Sequence, residues 1–274
     1  MVDTTDPDDV AAAVRRARET LRVERRRTVD EREALRAFRA RVARLSPAPS
    51  STGGSAGRGV PGVGIRTANR GIADGGTSAG SGLVAVRDAY VDTVMSVPHY
   101  EEEYDDTYES SLAAEFGREL ALVLTHNNAL DERITVSLLD AVDKAIDERE
   151  TFLDVLDAEA ESIDRGSERL SAVIEEIATL ARTDLDDLDY GALDAYRART
   201  TTLEGECDSI AARRQRDVAD VDRSLRIPDA APDLPTYLYH ELPVTYPVLA
   251  TVGSVGDRLA GLRREIEREL VRRT

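Results

Sequence analysis

The residue types most able to do chemistry are concentrated in one stretch, SVPHYEEEYDDTYESS, which we call the acidic tyrosine segment (residues 96–111). It holds one histidine, three tyrosines and six carboxylates in sixteen residues. Carboxylates suit Ca²⁺ or Mg²⁺, so one interpretation is a hard-cation site. Its ligands would be His99, Glu101, Glu102, Glu103, Asp105 and Asp106. The spacing matches no EF-hand loop, because the glycine that such a loop requires is missing.

A structural interpretation of the same segment rests on its aromatic spacing. Tyr100, Tyr104 and Tyr108 recur every four residues, which places three phenol rings on one face of a helix. The rings would pack on a neighbouring helix and the carboxylates would point outward. We favour this interpretation over the cation site, so we predict no metal ligands.

A second aromatic cluster, PTYLYHELPVTYP, spans residues 235–247. The two clusters together hold six of the nine tyrosines and two of the three histidines. They either cap the same end of a bundle or form one composite surface, since tyrosine is favoured in protein contacts. The candidate interaction surface comprises His99, Tyr100, Glu102, Tyr104, Tyr108, Tyr237, Tyr239, His240 and Tyr246.

Two segments also carry a resemblance to a known family. They read YVDTVMSVPHYEEEYDDTYESSLAAEFGRELA (90–121) and LPTYLYHELPVTYPVLA (234–250). Both resemble segments of a haloarchaeal family known only as a domain of unknown function, and the resemblance covers residues 84–270. It implies a haloarchaeal origin and a cytosolic protein. It transfers no catalytic residue.

Several familiar chemistries are excluded by missing residues. A phosphate-binding Walker loop needs Gly-Lys-Ser/Thr, but the only lysine, Lys144, lies in Val-Asp-Lys-Ala. A di-iron bundle needs Glu-x-x-His, which does not occur. The single cysteine, Cys207, cannot form an internal disulfide. The pattern Gly76-Thr-Ser-Ala-Gly80 follows a glycine-rich tract rather than the strand that a nucleophile elbow needs. We predict no catalytic residue and no cofactor.

The elements that must position these residues are long helices. Apolar residues follow one another at alternating steps of four and three, which indicates a bundle or a left-handed coiled coil. We predict an all-α fold, an elongated antiparallel helical bundle or coiled coil. Its parts are an Arg-rich amphipathic helix (1–46), a flexible Gly/Ser-rich linker (47–82) and a helical bundle (83–274).

Within the bundle we expect five helices. We call the row of residues at these alternating steps along one helix its seam, and charged, polar or glycine residues interrupt the apolar seams. The helices are 81–97, 107–125, one capped by Asn128 that runs to 182, 193–225 and 247–273. The interrupting seam residues, including those of the first helix, are Glu24, Thr28, Glu31, Arg149, Glu159, Gly166, Thr200, Arg214 and Asp217.

The charge distribution bears on environment and partners. The net charge is −17, and all but one of the 36 basic residues are arginine. This acidic composition fits a protein that stays soluble at high salt. The first ten residues are acidic and lack the apolar stretch of a signal peptide, and no window is apolar enough to span a membrane. We expect a cytoplasmic protein.

Residues 10–46 hold 12 arginines against 5 acidic residues, whereas residues 99–195 hold 7 basic and 28 acidic residues. The arginines would bind nucleic acid or, as we favour, pack along an acidic helix of the same chain or of a second copy.

These observations favour a non-enzymatic coiled-coil interaction or scaffold protein that binds a protein partner or self-associates. One alternative is a regulatory or sensory module that contacts nucleic acid through its first helix. The other is a metal-dependent enzyme that uses the acidic tyrosine segment.

Overall fold

A computed structural model describes residues 7–46, 81–225 and 233–273. These residues form α-helices and turns with no strand among them, which confirms the predicted all-α class. No helix in the described ranges is long and apolar enough to cross a membrane. The helices are α1 (Pro7–Val42), α2 (Ser81–Val91), α3 (Tyr100–Glu103), α4 (Tyr108–Phe116), α5 (Arg118–His126), α6 (Glu132–Ala181), α7 (Tyr190–Leu225), α8 (Leu234–Tyr239) and α9 (Pro247–Arg272).

The chain divides into two compact units. Unit one contains the described residues up to Arg26 and those from Phe152 onward, and unit two runs from Arg27 to Thr151. Each unit takes one part of α1 and one part of α6. The predicted parts listed the first helix (1–46) separately from the bundle (83–274), whereas each unit contains a segment of that helix. Part of the first helix belongs to the core of each unit.

Unit one buries apolar seam residues of α1, α6, α7 and α9. Leu21, Ile163, Leu203 and Leu259 are almost fully buried in one cluster. A β-carbon on Gly166 of α6 would lie 2.9 Å from Val248 Cγ1 of α9, so the absence of a side chain allows that close contact. The predicted seams therefore mark the core of this unit.

Unit two has a smaller core with more aromatic character. Phe38 of α1, Tyr90 of α2 and Leu138 of α6 are fully buried. The rings of Phe38 and Tyr90 meet edge to face with centroids 5.2 Å apart, a favourable arrangement for aromatic pairs. The core positions the acidic tyrosine segment, because Tyr108 packs against the Tyr90 ring at 5.7 Å.

The prediction that three tyrosines of this segment share one helical face is wrong. Helix α3 ends at Glu103, and Asp105 has a φ of 41°, in the left-handed region. Tyr104 packs against Tyr100 at 5.5 Å, whereas Tyr108 starts a separate helix. The backbone turn separates rings that a continuous helix would have aligned.

Two other helix predictions need correction. The helix expected over 107–125 is split at Gly117, whose φ of 89° suits glycine because it has no β-carbon. The helix expected to end at Val97 ends at Val91. Of the predicted linker, 47–80 lies outside the described residues, and its last two residues begin α2.

The start of α6 and the short helix α8 also differ from expectation. Asp131, rather than Asn128, accepts a hydrogen bond from the Ile134 amide at 2.8 Å and so caps α6. Helix α8 was not predicted, and Asp233 caps it by accepting from the Thr236 amide at 2.9 Å. This helix places the second aromatic cluster.

Candidate functional site

Polar seam residues form one ionic group in each unit. In unit one, Glu159 of α6 meets Arg214 of α7. In unit two, Glu31 of α1 meets Arg149 of α6. We call the first the unit-one ion pair. The second, extended by Glu115, is the unit-two cluster.

The unit-one ion pair is closed by hydrogen bonds. Arg214 Nη1 and Nη2 donate to the two carboxylate oxygens of Glu159 at 2.7 and 2.6 Å. The Tyr239 hydroxyl donates to Glu159 Oε1 at 2.9 Å, and Arg214 Nη1 also donates to Ser162 Oγ at 3.0 Å. The two charged side chains are only 1% and 3% exposed, and they balance one to one. Pairing and hydrogen bonding of this kind allow charges to be buried.

The surroundings of Tyr239 and Arg214 favour the protonated form of both groups. Burial raises the pKa of Tyr239, and the negative charge of Glu159 raises it further, so the hydroxyl stays a donor. Burial alone would lower the pKa of Arg214, but the hydrogen bond and charge of Glu159 outweigh it and raise that pKa. These hydrogen bonds link α6, α7 and α8 to one another.

The unit-two cluster has a different balance. Arg149 Nε donates to Glu31 Oε2 at 2.9 Å, and its Nη2 donates to Glu115 Oε2 at 2.8 Å. Glu31 Oε1 also accepts from the Tyr104 hydroxyl at 3.1 Å and lies 3.2 Å from His99 Nε2. One arginine therefore serves two carboxylates, and the cluster carries excess negative charge when both are ionised.

Glu115 is the incompletely satisfied member of the cluster. Its Oε1 is buried and has no hydrogen-bond partner among the described residues. Burial raises the pKa of Glu115, although the charge and hydrogen bond of Arg149 act against the rise. Buried carboxylate oxygens in proteins normally have a donor, so this atom needs explanation.

A cavity of about 110 Å³ adjoins the unit-two cluster. Its walls include Glu31, Glu115 and Arg149 together with Tyr100. The Tyr100 hydroxyl is buried and makes no hydrogen bond within the described part of the chain. Burial raises the pKa of Tyr100; the nearby Ser111 hydroxyl partly offsets this but is itself hydrogen-bonded to Tyr90 at 2.9 Å. Glu115 and Tyr100 thus each contribute one buried polar atom that has no hydrogen-bond partner among the described residues.

Part of the hard-cation interpretation has a geometric counterpart. Ligand atoms of Glu31, His99 and Glu103 lie within 4.8 Å of one another. Arginines already engage both carboxylates, because Arg27 pairs with Glu103 and Arg149 pairs with Glu31. A metal ion would have to compete with these cations for its ligands.

The nine predicted surface residues are divided by unit and by depth. His99, Tyr100 and Tyr239 are buried, Tyr108 is half-buried, and the others are exposed. The members from the acidic tyrosine segment belong to unit two, and those from α8 and the turn after it belong to unit one. The buried members are part of the cores and ionic groups. Only the exposed members can contribute to an interaction surface.

Two exposed tyrosines of the second aromatic cluster are held by hydrogen bonds. The Tyr237 hydroxyl donates to Glu24 at 2.9 Å, and its ring meets Phe152 edge to face at 6.3 Å. The Tyr246 hydroxyl donates to Asp233 at 2.7 Å, and the side chain of His240 is exposed. We call Tyr237, His240 and Tyr246 the tyrosine surface.

The arginines of α1 pair with acidic residues of α6 inside each unit. In unit one, Arg18 contacts Asp164 and Arg25 contacts Asp157, both at 2.6 Å. In unit two, Arg36 pairs with Glu150 and Arg39 with Asp143. The partner numbers fall as the arginine numbers rise, so the two helices are antiparallel within each unit. The first helix therefore packs along an acidic helix of its own chain.

A family model supplies the relationship to known proteins. The family described as Domain of unknown function (DUF7260) matches residues 12–263, which is most of the chain. The chain belongs to this family. No curated protein and no solved structure matches it. The match includes both ionic groups and the tyrosine surface, and it assigns no activity to them.

Sequence reasoning found some of these residues and missed others. Glu31, Arg149, Glu159 and Arg214 had a visible signal, since each places a charge where an apolar seam residue is expected. Glu115 had none, because it occupies no predicted seam position.

Proposed function

We propose that this protein is a non-enzymatic helical scaffold that binds a protein partner through the tyrosine surface of unit one. One observation carries the proposal: Tyr237 is 52% exposed, yet its hydroxyl is held by Glu24 and its ring by Phe152. An exposed aromatic ring that is already ordered loses little side-chain entropy on binding. It also supplies the amphipathic contact area that tyrosine provides at binding hot spots.

The partner is either a second copy of the chain or another protein. Coiled-coil geometry along the apolar seams is part of the same proposal, because such seams mediate assembly between chains as well as within one. The charge of −17 and the near absence of lysine support action in the cytosol of a salt-loving archaeon.

The nucleic-acid alternative has weaker support. Arg18, Arg25, Arg36 and Arg39 each contact a carboxylate of α6, so phosphate groups would have to displace these contacts. The metal-enzyme alternative relies on Glu31, His99 and Glu103, whose carboxylates already bind arginine.

The test compares Tyr237→Ala and Tyr246→Ala with Tyr190→Ala. Tyr190 is a matched control because it is 55% exposed in the same unit but lies outside the tyrosine surface. Sedimentation at low and multimolar KCl measures self-association. Capture from a native lysate at the salt of the cell, followed by mass spectrometry, measures binding of another protein.

We expect the first two variants to weaken association by roughly tenfold or more, while Tyr190→Ala binds like the parent. Circular dichroism must show equal helix content in all three. A parent protein that stays monomeric and captures no stoichiometric partner would refute the proposal. Equal weakening by Tyr190→Ala would also refute it.

A further inference from the structure

A groove between α6 and α7 of unit one concentrates positive charge in an acidic protein. Four exposed arginines line it, namely Arg165 and Arg169 of α6 and Arg213 and Arg216 of α7. Among the described residues, the lining contains one carboxylate, that of Asp217. Arg214 also lines the groove, but Glu159 matches its charge. Four arginines against one carboxylate leave an excess of three positive charges, whereas the whole chain has a net charge of −17.

Buried residues that line the groove hold Asp217 in place. The Ser162 hydroxyl, in a residue only 5% exposed, donates to Asp217 Oδ2 at 2.8 Å. Arg214 Nη1 donates to Ser162 Oγ at 3.0 Å. These hydrogen bonds connect α6 to α7, so the position of Asp217 depends on the same buried arginine that closes the unit-one ion pair.

Asp217 brings together arginines from both helices. Arg213 Nε donates to Asp217 Oδ1 at 2.8 Å, and Arg165 Nη2 lies 3.6 Å from Asp217 Oδ2. Because both guanidinium groups contact one carboxylate, a single small ligand can reach both. Arg169 Nη2 of α6 lies 3.5 Å from Ser209 Oγ of α7, so a third arginine also extends across the groove. Donors that are already positioned lose less entropy when a ligand binds.

N–H donors of these arginines remain for a ligand. A guanidinium group has donors on all of its nitrogens. Arg213 uses its Nε alone, so its terminal nitrogens have no acceptor among the described residues. Arg216 forms no ion pair in the described part of the chain. Arg165 is more fully engaged, because its Nη1 also donates to the exposed Glu161 at 3.1 Å.

The charge and size of the groove suit two linked phosphate groups. One phosphate group carries about −1.5 to −2 charges at neutral pH, so an excess of three positive charges matches two such groups. The groove volume of about 310 Å³ lies at the lower end of the range for small-molecule sites. Phosphate oxygens accept paired hydrogen bonds from the planar guanidinium group, which gives them an advantage over chloride.

We propose that this groove is a binding site for a small diphosphate, either inorganic diphosphate or the diphosphate of a nucleotide. Arg165 and Arg213 hold one phosphate group. Arg169, one helical turn from Arg165, holds the other, and the Ser209 hydroxyl donates to it. Arg216 adds positive charge at the rim of the groove.

A long nucleic acid is disfavoured at the same place. The exposed residues Glu161, Glu168 and Asp208 are close in sequence to the arginines and to Ser209, and they would repel a longer chain of phosphates. The groove is separate from the tyrosine surface, and its proposed role does not rest on the scaffold function.

The first experiment titrates the full chain with inorganic diphosphate and with ADP, without Mg²⁺, and measures binding by calorimetry and phosphorus NMR. AMP, which has one phosphate group, and malonate, a small dicarboxylate, are the control probes at matched ionic strength. We expect one diphosphate per chain with a dissociation constant on the order of 100 μM at low salt, weakening as KCl is added. Both control probes should bind at least about tenfold more weakly. The tighter of the two diphosphates identifies the free or the nucleotide form as the ligand.

The second experiment tests the arginines with a matched control. Arg213→Gln removes the donor that faces Arg165, and Arg197→Gln makes the same change on the same helix outside the groove. The two side chains are 60% and 51% exposed, and each pairs with a carboxylate within one helical turn. Arg197 lies about 24 Å from Arg213 along the helix axis, too far to contact the same small ligand.

We expect Arg213→Gln and Arg165→Gln each to weaken diphosphate binding by about tenfold, while Arg197→Gln binds like the parent. Circular dichroism must show equal helix content in all three variants. Unchanged affinity in Arg213→Gln, equal weakening by Arg197→Gln, or malonate that binds as tightly as diphosphate would overturn the proposal. Absence of saturable diphosphate binding would also overturn it. If a short single-stranded RNA then bound and Arg213→Gln weakened it, the groove would be a nucleic-acid surface instead.

Discussion

Both ionic groups contain a glutamate that binds an arginine, but they differ in how completely the hydrogen bonds of that glutamate are satisfied. Glu159 in unit one is buried and Glu115 in unit two is half-buried, and each binds an arginine of another helix. Glu159 binds Arg214, which donates to no other carboxylate among the described residues, and the Tyr239 hydroxyl also donates to Glu159. Glu115 shares Arg149 with Glu31 and keeps one oxygen without a partner in the described chain.

The difference shows that a charged seam residue does not by itself define a role. A one-to-one pair with every charge matched favours a single arrangement of helices. In the two-to-one group, one carboxylate oxygen is left without a partner among the described residues. The ratio of carboxylates to arginines, rather than the presence of charge, therefore distinguishes a fully paired group from an incompletely satisfied one.

The largest expected difference between the units appears when a glutamate of each ionic group is replaced by glutamine. Glu159→Gln leaves the Arg214 charge buried without its carboxylate and should destabilise unit one by about 3–5 kcal/mol. Glu115→Gln leaves Arg149 paired with Glu31 and removes a buried charge, so it should change the stability of unit two by less than about 1 kcal/mol. Pulse-labelling hydrogen exchange in urea measures each unit separately.

A double variant controls the first prediction. Replacing Glu159 and Arg214 together by Leu and Met removes both charges, so it should recover most of the stability that Glu159→Gln loses. Equal costs for Glu159→Gln and Glu115→Gln would contradict the contrast between the units.

Acidification should produce a smaller effect that is specific to unit two. Burial raises the pKa of Glu115 above its ordinary value of 4.5, and the nearby charges of Glu31 and Glu148 add to the rise while Arg149 opposes it. Between 4.5 and the raised value, folded Glu115 holds a proton that the unfolded chain has lost. Stability from this group is therefore gained as the pH falls through that window and lost as it rises.

The difference in unfolding free energy between the parent and Glu115→Gln isolates this group. On going from about pH 7 to about pH 5, the parent should gain stability in unit two relative to the variant. Urea unfolding at several pH values, read by pulse labelling at one fixed pH, makes the comparison. A pH-independent difference would show that Glu115 does not titrate in this range.

Most of the helices were predictable because apolar spacing fixes a long helix well. The predicted ends of the three long helices at 182, 225 and 273 agree with the observed ends Ala181, Leu225 and Arg272. The turns at Asp105 and Gly117 were not predictable, since each depends on one residue with positive φ. Apolar periodicity carries no information about such residues.

The sites were less predictable than the helices for a related reason. Glu31 and Arg149 were recognisable in the sequence as charged residues at apolar seam positions. Their pairing was not predictable, because it depends on the register between α1 and α6, which the heptad pattern of one helix does not determine. His99 was predicted at the surface and is buried, because Glu31, 68 positions earlier, provides its polar partner.

The smallest expected effect concerns the exposed arginines of α1. Arg18→Gln in unit one and Arg39→Gln in unit two each remove a partly exposed ion pair, with side chains that are 33% and 44% exposed. Each should cost no more than about 0.5 kcal/mol, and added salt should reduce the cost further. A loss above about 2 kcal/mol in either unit would contradict this prediction. Helix α1 is held in both units chiefly by buried side chains such as Leu21 and Phe38, so the contrast between the units lies in their buried charges.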